Sequence, residues 1–578
     1  MKEHISQLLK AGINALSIKS EVPPQMLQNL RIDRSKDKAH GDFATNAALM
    51  LAKPLHQNPR ELAAQIIAHL PPSDKIAKVE IAGPGFINFF VNQADTAQGL
   101  MDMLADAHLG IKPPEHPETV VIDYSAPNVA KEMAVHHLRS TVIGDAVVRI
   151  LEFTGHKVIR ANHIGDWGTQ FGMLIAYLER MENQQGSGMV LKDFENFYTE
   201  AKKCYDEDPD FAVKARRYVV MLQSGDAYCH EMWQKLVKMT MDQNYALYKR
   251  LDVTLTEKDT MGESMYNDML PVIVKELADK GLAVRDDGAM VVFLDEFKNK
   301  EGETAGVIVQ KKDGGFLYTT TDLACLKYRI ETLHADRIIY FTDSRQARHM
   351  QEVWAIARKD GFLTDKVKVE HAPFGMMLNK DGKPFKTRDG KTVKLRDLLD
   401  EAESRVDKML TERGSSFTGE ARAQVVHNIA IGAVKYADLS KNRQTDYIFD
   451  WDSMLSFEGN TAPYLQYAYS RIRAIFRKTE LTGGQIVLTE EAEQELASKL
   501  LAFSEAVSQA AVKAMPHLLC TYLYELSGIF MRFYEACPVL KQGVPEETAR
   551  SRLSLCDLTA KVLSNGLGML GINVMEQM

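Results

Sequence analysis

The sequence predicts a doubly wound parallel α/β core, preceded by a small α+β domain and followed by an all-α helical-bundle domain. Three observations carry this. First, Thr119-Val120-Val121-Ile122-Asp123-Tyr124 is a buried-strand run. It leads through a loop into a helical apolar repeat (Leu138, Val142, Ile143, Ala146, Val147, Ile150, Leu151) and out to Val158-Ile159-Arg160-Ala161. That order makes a right-handed parallel β-α-β unit. Second, the same grammar returns far downstream: Gly315 to Thr319 reads as a strand, Leu323 to Thr332 as a helix and Arg337 to Phe341 as a strand, with another helix from near Ser344. Third, from about residue 396 to Met578 the pattern is helical throughout, punctuated by Pro463, Pro516, Pro538 and Pro545, which reads as a helical bundle.

Taken in order, Ile5, Leu8, Leu9, Ile13 and Leu16 recur at helical spacing, so the chain opens on an amphipathic helix. Lys78 to Ala82 and Phe86 to Val91 read as strands around the turn Gly83-Pro84-Gly85. Pro113, Pro114 and Pro117 then interrupt any helix or central strand. Gly155 is the expected stop of the helix that follows the first core strand. The charged, mixed stretch 183–300 fits an insertion between the two halves of the core. The expected domains are therefore 1–112, 113–395 with that insertion, and 396–578.

The chain has 578 residues, 26% of them charged and 45% hydrophobic, so several packed domains are expected and overall disorder is not. No apolar run is long enough for a membrane span, and the N-terminus lacks a basic-then-apolar leader. Cys204, Cys229, Cys325, Cys520, Cys537 and Cys556 form no Cys-x-x-Cys pair. Zinc and disulfide frameworks are unsupported, and a reducing cytoplasm is the expected location. The net charge of −8 argues against indiscriminate polyanion binding, yet leaves room for a local basic track.

In such a core, ligands bind beyond the carboxyl ends of the strands. Ser125 to His137, Asn162 to Gly168, Thr320 to Asp322 and Asp343 to Gln346 all fall there. The segment from Asp123 to Thr141 brings an Asp, Lys131 and two histidines to a helix mouth, where backbone N–H groups attract phosphate. Taken alone, a histidine pair is as readily an ordinary capping or packing feature as a phosphate site.

Ser125-x-Pro127-Asn128-x-Ala130-Lys131, followed by His137-Leu138-Arg139-Ser140-Thr141, resembles the signature of the arginyl-tRNA synthetases of bacterial type. These are class I synthetases with a Rossmann-type catalytic domain. Asn162 to Gly172, Gly432 to Ser440 and Glu458 to Ala468 resemble further family segments, so the resemblance covers essentially the whole chain. It implies an arginine–tRNA ligase, expected to act as a monomer. Arginine and ATP, accompanied by Mg²⁺, form arginyl-adenylate, and the arginyl group then passes to tRNA(Arg).

The resemblance also implies roles. Asp123 and Asp322 would supply carboxylates for the guanidinium of L-arginine, with Tyr318 and Gln346 completing the pocket and Ser125 and Asn128 holding the amino and carboxylate end. An alternative makes Asp322 a helix N-cap before Leu323 and Tyr318 a packing residue. Lys380 to Gly390 would form the phosphate-facing loop, with Lys383, Lys386 and Arg388 on it; a basic hairpin is the alternative, since Asp-Gly at 381–382 and 389–390 are turn signals. Lys131, His137, Lys386 and Arg388 are the expected catalytic groups, and Ala134, His136, His137, Gly165, Lys383 and Lys386 the expected ATP contacts; no protein-held metal is expected. Phe86, Asn88, Tyr464 and Tyr467 would contact tRNA. One departure stands out. The family's His-x-Gly-His is here Ala134-Val135-His136-His137, which motivates a rival reading: a tRNA-binding, synthetase-like protein with impaired activation. A zinc-bearing class I enzyme for cysteine is a further rival, disfavoured by the unpaired cysteines.

Overall fold

A computed structural model describes residues 1–16, 22, 24–35, 38–185, 193–298, 302, 304–385 and 393–578. The chain divides into two units, Met1–Gly110 with Lys478–Phe503 and Gly528–Thr559, and Ile111–Arg477 with Ser504–Ser527 and Ala560–Met578.

In the first unit, the opening repeat forms α1 (Lys2–Ala15), which buries Ile5, Leu8, Leu9 and Ile13. The antiparallel sheet has the order β1 (Ile32–Arg34), β2 (Phe43–Thr45), β4 (Phe86–Val91), β3 (Ile76–Ala82). The two strands expected around Gly83-Pro84-Gly85 pair as a hairpin, with Ala82 opposite Phe86 and Glu80 opposite Asn88. Ile87 and Phe89 alternate onto the core face beside Ile5, Leu9, Ile13, Phe43 and Leu62. Asn58 caps α2 (Pro59–Ala68) through its side chain, and Asn92 caps α3 (Gln93–Ala105).

The second unit begins with β5 (Thr119–Asp123), α4 (Val135–Phe153) and β6 (Lys157–Ala161), the expected β-α-β unit with parallel strands. Gly155, at φ +92°, follows the end of α4 as a left-handed stop. Helices α5 (Gln170–Gln185), α6 (Phe194–Glu207), α7 (Pro209–Gln223) and α8 (Ala227–Arg250) come next. An antiparallel sheet follows, β7 (Ala283–Asp286), β8 (Ala289–Lys298) and β9 (Thr304–Gln310). The core resumes with α9 (Tyr318–Glu331), β10 (Arg337–Tyr340), α10 (Ala347–Asp360) and β11 (Lys368–His371).

The parallel sheet runs β11-β10-β5-β6. The chain leaves β5 toward β6 on one side and returns to β10 on the other, so the topological switch lies between β5 and β10. The strand expected at Gly315 to Thr319 is not one. Phe316 makes only an isolated bridge to Gln310, and α9 starts at Tyr318, with Leu317 as its N-cap. The β-branched Thr319-Thr320-Thr321 run looks strand-like, but Thr320 Oγ1 bonds the Val309 carbonyl and Thr321 Oγ1 the Leu317 carbonyl, which holds the first turn. Beyond residue 394 the second unit is helical, with α11 (Leu395–Glu412), α12 (Gly419–Leu439) and α13 (Ala462–Phe476). The short strand Tyr447–Ile448, paired with Met377–Leu378, interrupts them.

Candidate active site

The site grows from the loop that leaves β5. Ser125, Ala126 and Ala130 take φ values of +71°, +48° and +59°, a region that L-residues occupy only when their surroundings compel it. The compulsion is visible. Ser125 N–H donates to Ser140 Oγ at 3.0 Å, Ala126 N–H to Asn162 Oδ1 at 3.0 Å and Ala130 N–H to Thr240 Oγ1 at 3.0 Å. Val129 N–H donates to the Gly165 carbonyl. Gly165 is needed there, because a Cβ on it would lie 2.2 Å from Asn128 Oδ1. Asn128 is left exposed at the loop's crest.

Ser125, expected to hold the amino acid directly, is instead turned inward. It is buried, and its hydroxyl lies 2.8 Å from Tyr248 Oη and 2.9 Å from Thr141 Oγ1. Asn162 Nδ2 also donates to Tyr248 Oη. Tyr248 and Thr240 come from α8, so the inserted helices brace the strained loop.

At the mouth of α4, Ala134 is the N-cap and lacks a capping side chain. Its N–H donates to Nδ1 of His137 at 3.0 Å. An accepting Nδ1 puts the ring proton on Nε2. Burial, then the neighbouring His136 and Lys131, hold His137 down to about 3, so it is a neutral imidazole with one donor to offer. His136 is exposed and its ring lies 4.0 Å from that of His137. Burial and Arg345 lower its pKa, against the pull of Asp343. Lys131 is exposed, its ammonium 5.0 Å from the Tyr198 ring.

A cluster of carboxylate and imidazole side chains gathers around Asp322. Tyr318 and Asp322 sit one turn apart on α9 and so share a face. Asp322 is inside the helix, which removes the N-cap alternative. His349 Nε2 donates to Asp322 Oδ2 at 2.5 Å, and His163 Nε2 lies 4.0 Å from Oδ1. Tyr318 is 63% exposed and meets His349 edge-on at 4.7 Å. Gln346 is exposed at the N-cap of α10, three residues before His349.

Asp123, the other expected guanidinium ligand, already has a cation: Arg329 Nη2 donates to its Oδ2 at 2.6 Å, both side chains buried. The direct role read for Asp123 therefore reduces to whatever its second oxygen can add. Glu263 is brought alongside by backbone bonds of 259–263 to Asn162 and Ile164. Burial pushes Glu263 up to about 7; Asp166 and Asp322 add to this and His163 opposes it.

The remaining expected residues fall elsewhere. Asn379 to Lys383 form a tight hairpin, with Asn379 N–H bonded to the Lys383 carbonyl; Lys383 is exposed on it. Lys386 and Arg388 lie outside the described residues. In the first unit, Phe86 is 40% exposed but Asn88 is 4% exposed on the central strand β4. Asn88 therefore does not offer the surface hydrogen bond expected of it. In α13, Tyr467 is exposed with Arg471 over its ring, and Tyr464 packs edge-on against Tyr524.

Tyr248, His163, Glu263, Arg329 and His349 escaped the sequence reading. His163 lay inside a quoted segment and His349 just past Gln346; Tyr248, Glu263 and Arg329 reach the site only through tertiary packing.

A parallel sheet with its switch point between β5 and β10, and a helix mouth and a carboxylate cluster beyond the strand ends, is the arrangement of a nucleotide-binding α/β enzyme. Residues 100–451 match the class I (R) tRNA synthetase catalytic domain, 3–91 the arginyl-tRNA synthetase N-terminal domain and 465–578 the DALR anticodon-binding domain. The chain belongs to the arginyl-tRNA synthetases. It is 59% identical to the arginine–tRNA ligase of Haemophilus ducreyi, over 95% of this chain and 98% of that one. It is 55% identical to that of Escherichia coli O81, over 99% of both. The crystal structure of the Plasmodium falciparum arginyl-tRNA synthetase superposes with a TM-score of 0.84 at 28% identity, covering 100% of this chain and 99% of that one. The Thermus thermophilus arginyl-tRNA synthetase shares the fold, with a TM-score of 0.82 at 22% identity over all of both chains. Arginine–tRNA ligation is the activity these relatives support. The impaired-activation rival is not favoured.

Proposed function

We propose that the chain ligates L-arginine to tRNA(Arg) at the switch point between β5 and β10. An oxygen of the arginine carboxylate attacks the α-phosphorus of ATP, the bond to the bridging oxygen breaks, and pyrophosphate leaves. A terminal ribose hydroxyl of tRNA then attacks the arginyl carbonyl and AMP departs. The protein's part is alignment and charge stabilisation. Asp322 takes the guanidinium, Tyr318 and Gln346 close the pocket, and Asn128 meets the amino and carboxylate end. Asp123 adds its second oxygen while Arg329 balances the first. Ser125 acts by holding the loop.

His137 offers Nε2–H to the phosphates, with Lys131, Lys383, Lys386 and Arg388 as the cations around them. Ala134 lends only backbone at the ATP site, where Gly165 allows close approach and His136 lies at the entrance. Among the described residues no group of three or more His, Cys, Asp or Glu is gathered to hold a metal ion. In this proposal Mg²⁺ arrives on the phosphates of ATP.

Phe86, Tyr464 and Tyr467 contact tRNA in this reading, and the C-terminal helices read the anticodon. We place the protein in the cytoplasm as a monomer. No helix among the described residues is long and apolar enough to cross a membrane. The observation that carries the proposal is the Asp322 carboxylate beside Glu263, with one oxygen held by His349 and the other with no imidazole in hydrogen-bond range, which suits a permanently charged side chain. Arginine-dependent pyrophosphate exchange with tRNA present tests it. Asp322→Asn should raise the arginine KM strongly, since unpairing such a charge commonly costs roughly 2–5 kcal/mol; an unchanged KM refutes the pocket.

A further inference from the structure

The pocket carboxylate is itself held. Asp322 is 24% exposed at its side chain, and its two oxygens are treated unequally. Oδ2 accepts the 2.5 Å bond from His349 Nε2, while Oδ1 has its nearest imidazole, His163, at 4.0 Å, beyond hydrogen-bond range. His349 is 14% exposed and wedged between Asp322 and the exposed ring of Tyr318. It comes from the first turn of α10, whereas Asp322 and Tyr318 come from α9. The bond therefore ties two helices at the point where the amino acid must be read. A carboxylate free to rotate offers a guanidinium several poor geometries; one clamped at a single oxygen presents the other in a fixed direction.

We propose that His349 is a positioning residue for arginine selection: it clamps Oδ2 of Asp322 so that Oδ1 faces the guanidinium. This rests on the reading of Asp322 as the guanidinium ligand. His349 acts through Asp322, not on the reacting atoms, so its loss acts on arginine affinity and on discrimination against the neutral isostere citrulline. Turnover at saturating arginine stays near the parent value.

The test uses the full chain, with active sites titrated, in arginine-dependent pyrophosphate exchange with tRNA present. H349A should raise the arginine KM about 10- to 100-fold, the usual worth of one hydrogen bond to a charged group, with kcat held within about 3-fold. H349Q, whose amide N–H reaches a similar place, should recover most of the KM. Both expectations concern ratios that a smaller folded fraction does not move. D322N should raise KM by itself, and D322N/H349A should be no worse than D322N, because the clamp then has nothing to hold. Three results overturn the proposal while leaving the pocket intact: D322N raises KM but H349A does not, H349A lowers kcat alone, or the two substitutions add in full. An unchanged KM in D322N overturns the pocket reading itself, and the proposal with it.

Discussion

Replacing His137 by Asn separates two jobs that one imidazole performs. Nδ1 caps α4 by accepting the Ala134 N–H at 3.0 Å, and in the proposed site Nε2–H donates to phosphate. An Asn amide oxygen can take over the first job but has nothing at the position of the second. Losing one preorganised donor at developing charge commonly costs roughly 10²–10³ in rate, about 3–4 kcal/mol. H137N is therefore expected to lower the pyrophosphate-exchange kcat by that factor, with the arginine KM and the fold retained. The pH behaviour is a second signature. Burial, His136 and Lys131 hold His137 at about 3 against an ordinary 6.5. In the window from 6.5 down to about 3 the unfolded chain binds the extra proton and the folded chain does not, so stability is lost as pH falls through that window. At about 1.4 kcal/mol per pH unit, the parent loses roughly 2 kcal/mol to this group between pH 6.5 and 5. H137N does not carry this loss, and urea unfolding at pH 7 and pH 5 measures the difference. Parent-level exchange by H137N, or a parent imidazole that titrates near 6.5 by NMR, would falsify the assignment.

Glu263, raised to about 7 chiefly by burial, is protonated in the folded state at pH 6 and ionised at pH 8. The arginine KM should therefore fall as pH rises through about 7, and E263Q should flatten that dependence; an unaltered slope in E263Q removes Glu263 from the pocket. The sign for stability is opposite: the contribution of this raised carboxyl is present below pH 4.5 and lost as pH rises through about 7. D123N strands the buried Arg329 and should destabilise by about 3–5 kcal/mol. D123N/R329M should recover most of that stability in urea titrations while the arginine KM stays raised; no recovery shows that the pair is not what Asp123 serves. In the first unit, F86A should weaken tRNA binding by about 1–3 kcal/mol, the worth of one stacking platform, read by filter binding. N88A should leave tRNA affinity alone and lower thermal stability, and the reverse pattern would restore Asn88 to the surface.

Much of the fold was legible because it is local. The helical spacing of Ile5, Leu9 and Ile13, the turn at Gly83-Pro84-Gly85 and the stop at Gly155 each follow from steric rules that act over a few residues. The start of α9 was not, since Phe316, Tyr318 and Thr319 favour a strand on propensity and the Thr320 and Thr321 hydroxyl bonds to the Val309 and Leu317 carbonyls hold a helical turn instead. The same division runs through the site. Asp322, Tyr318 and His137 were found as residues, but what each faces is tertiary. Nothing in the local sequence pairs Asp123 with Arg329, 206 positions away, or gives the Ser125 hydroxyl to Tyr248, 123 positions away. Asn88 was misread for a related reason: its neighbours announced a hairpin, and a hairpin strand becomes central only once β2 pairs with its other edge.

The altered signature borders a buried structural contact. The segment that follows, Leu138-Arg139-Ser140-Thr141, belongs to the signature and serves as a bolt. Arg139 is buried, its Nε is 3.2 Å from Asp438 Oδ2, its Nη1 donates to the Thr445 carbonyl, and its guanidinium lies over Tyr447. Asp438 belongs to the second quoted segment, Gly432 to Ser440, which also supplies Lys435. That ammonium is buried, held down to about 8 chiefly by desolvation, and donates to the Leu251 and Gly571 carbonyls. These two segments therefore fix α4 against α12, a geometry on which the position of the helix mouth depends. Positions 134 and 136 take no part in the bolt. Ala134 contributes an N–H and a bridge to Lys394, both backbone interactions that any residue but proline supplies, and His136 is exposed. The bolt is consequently indifferent to the departure, while His137 keeps its bond to the Ala134 N–H with the His136 ring 4.0 Å away. In the proposed site, whatever Ala134 and His136 change acts on contacts to ATP, with the capping bond of His137 and the His349–Asp322 bond still in place.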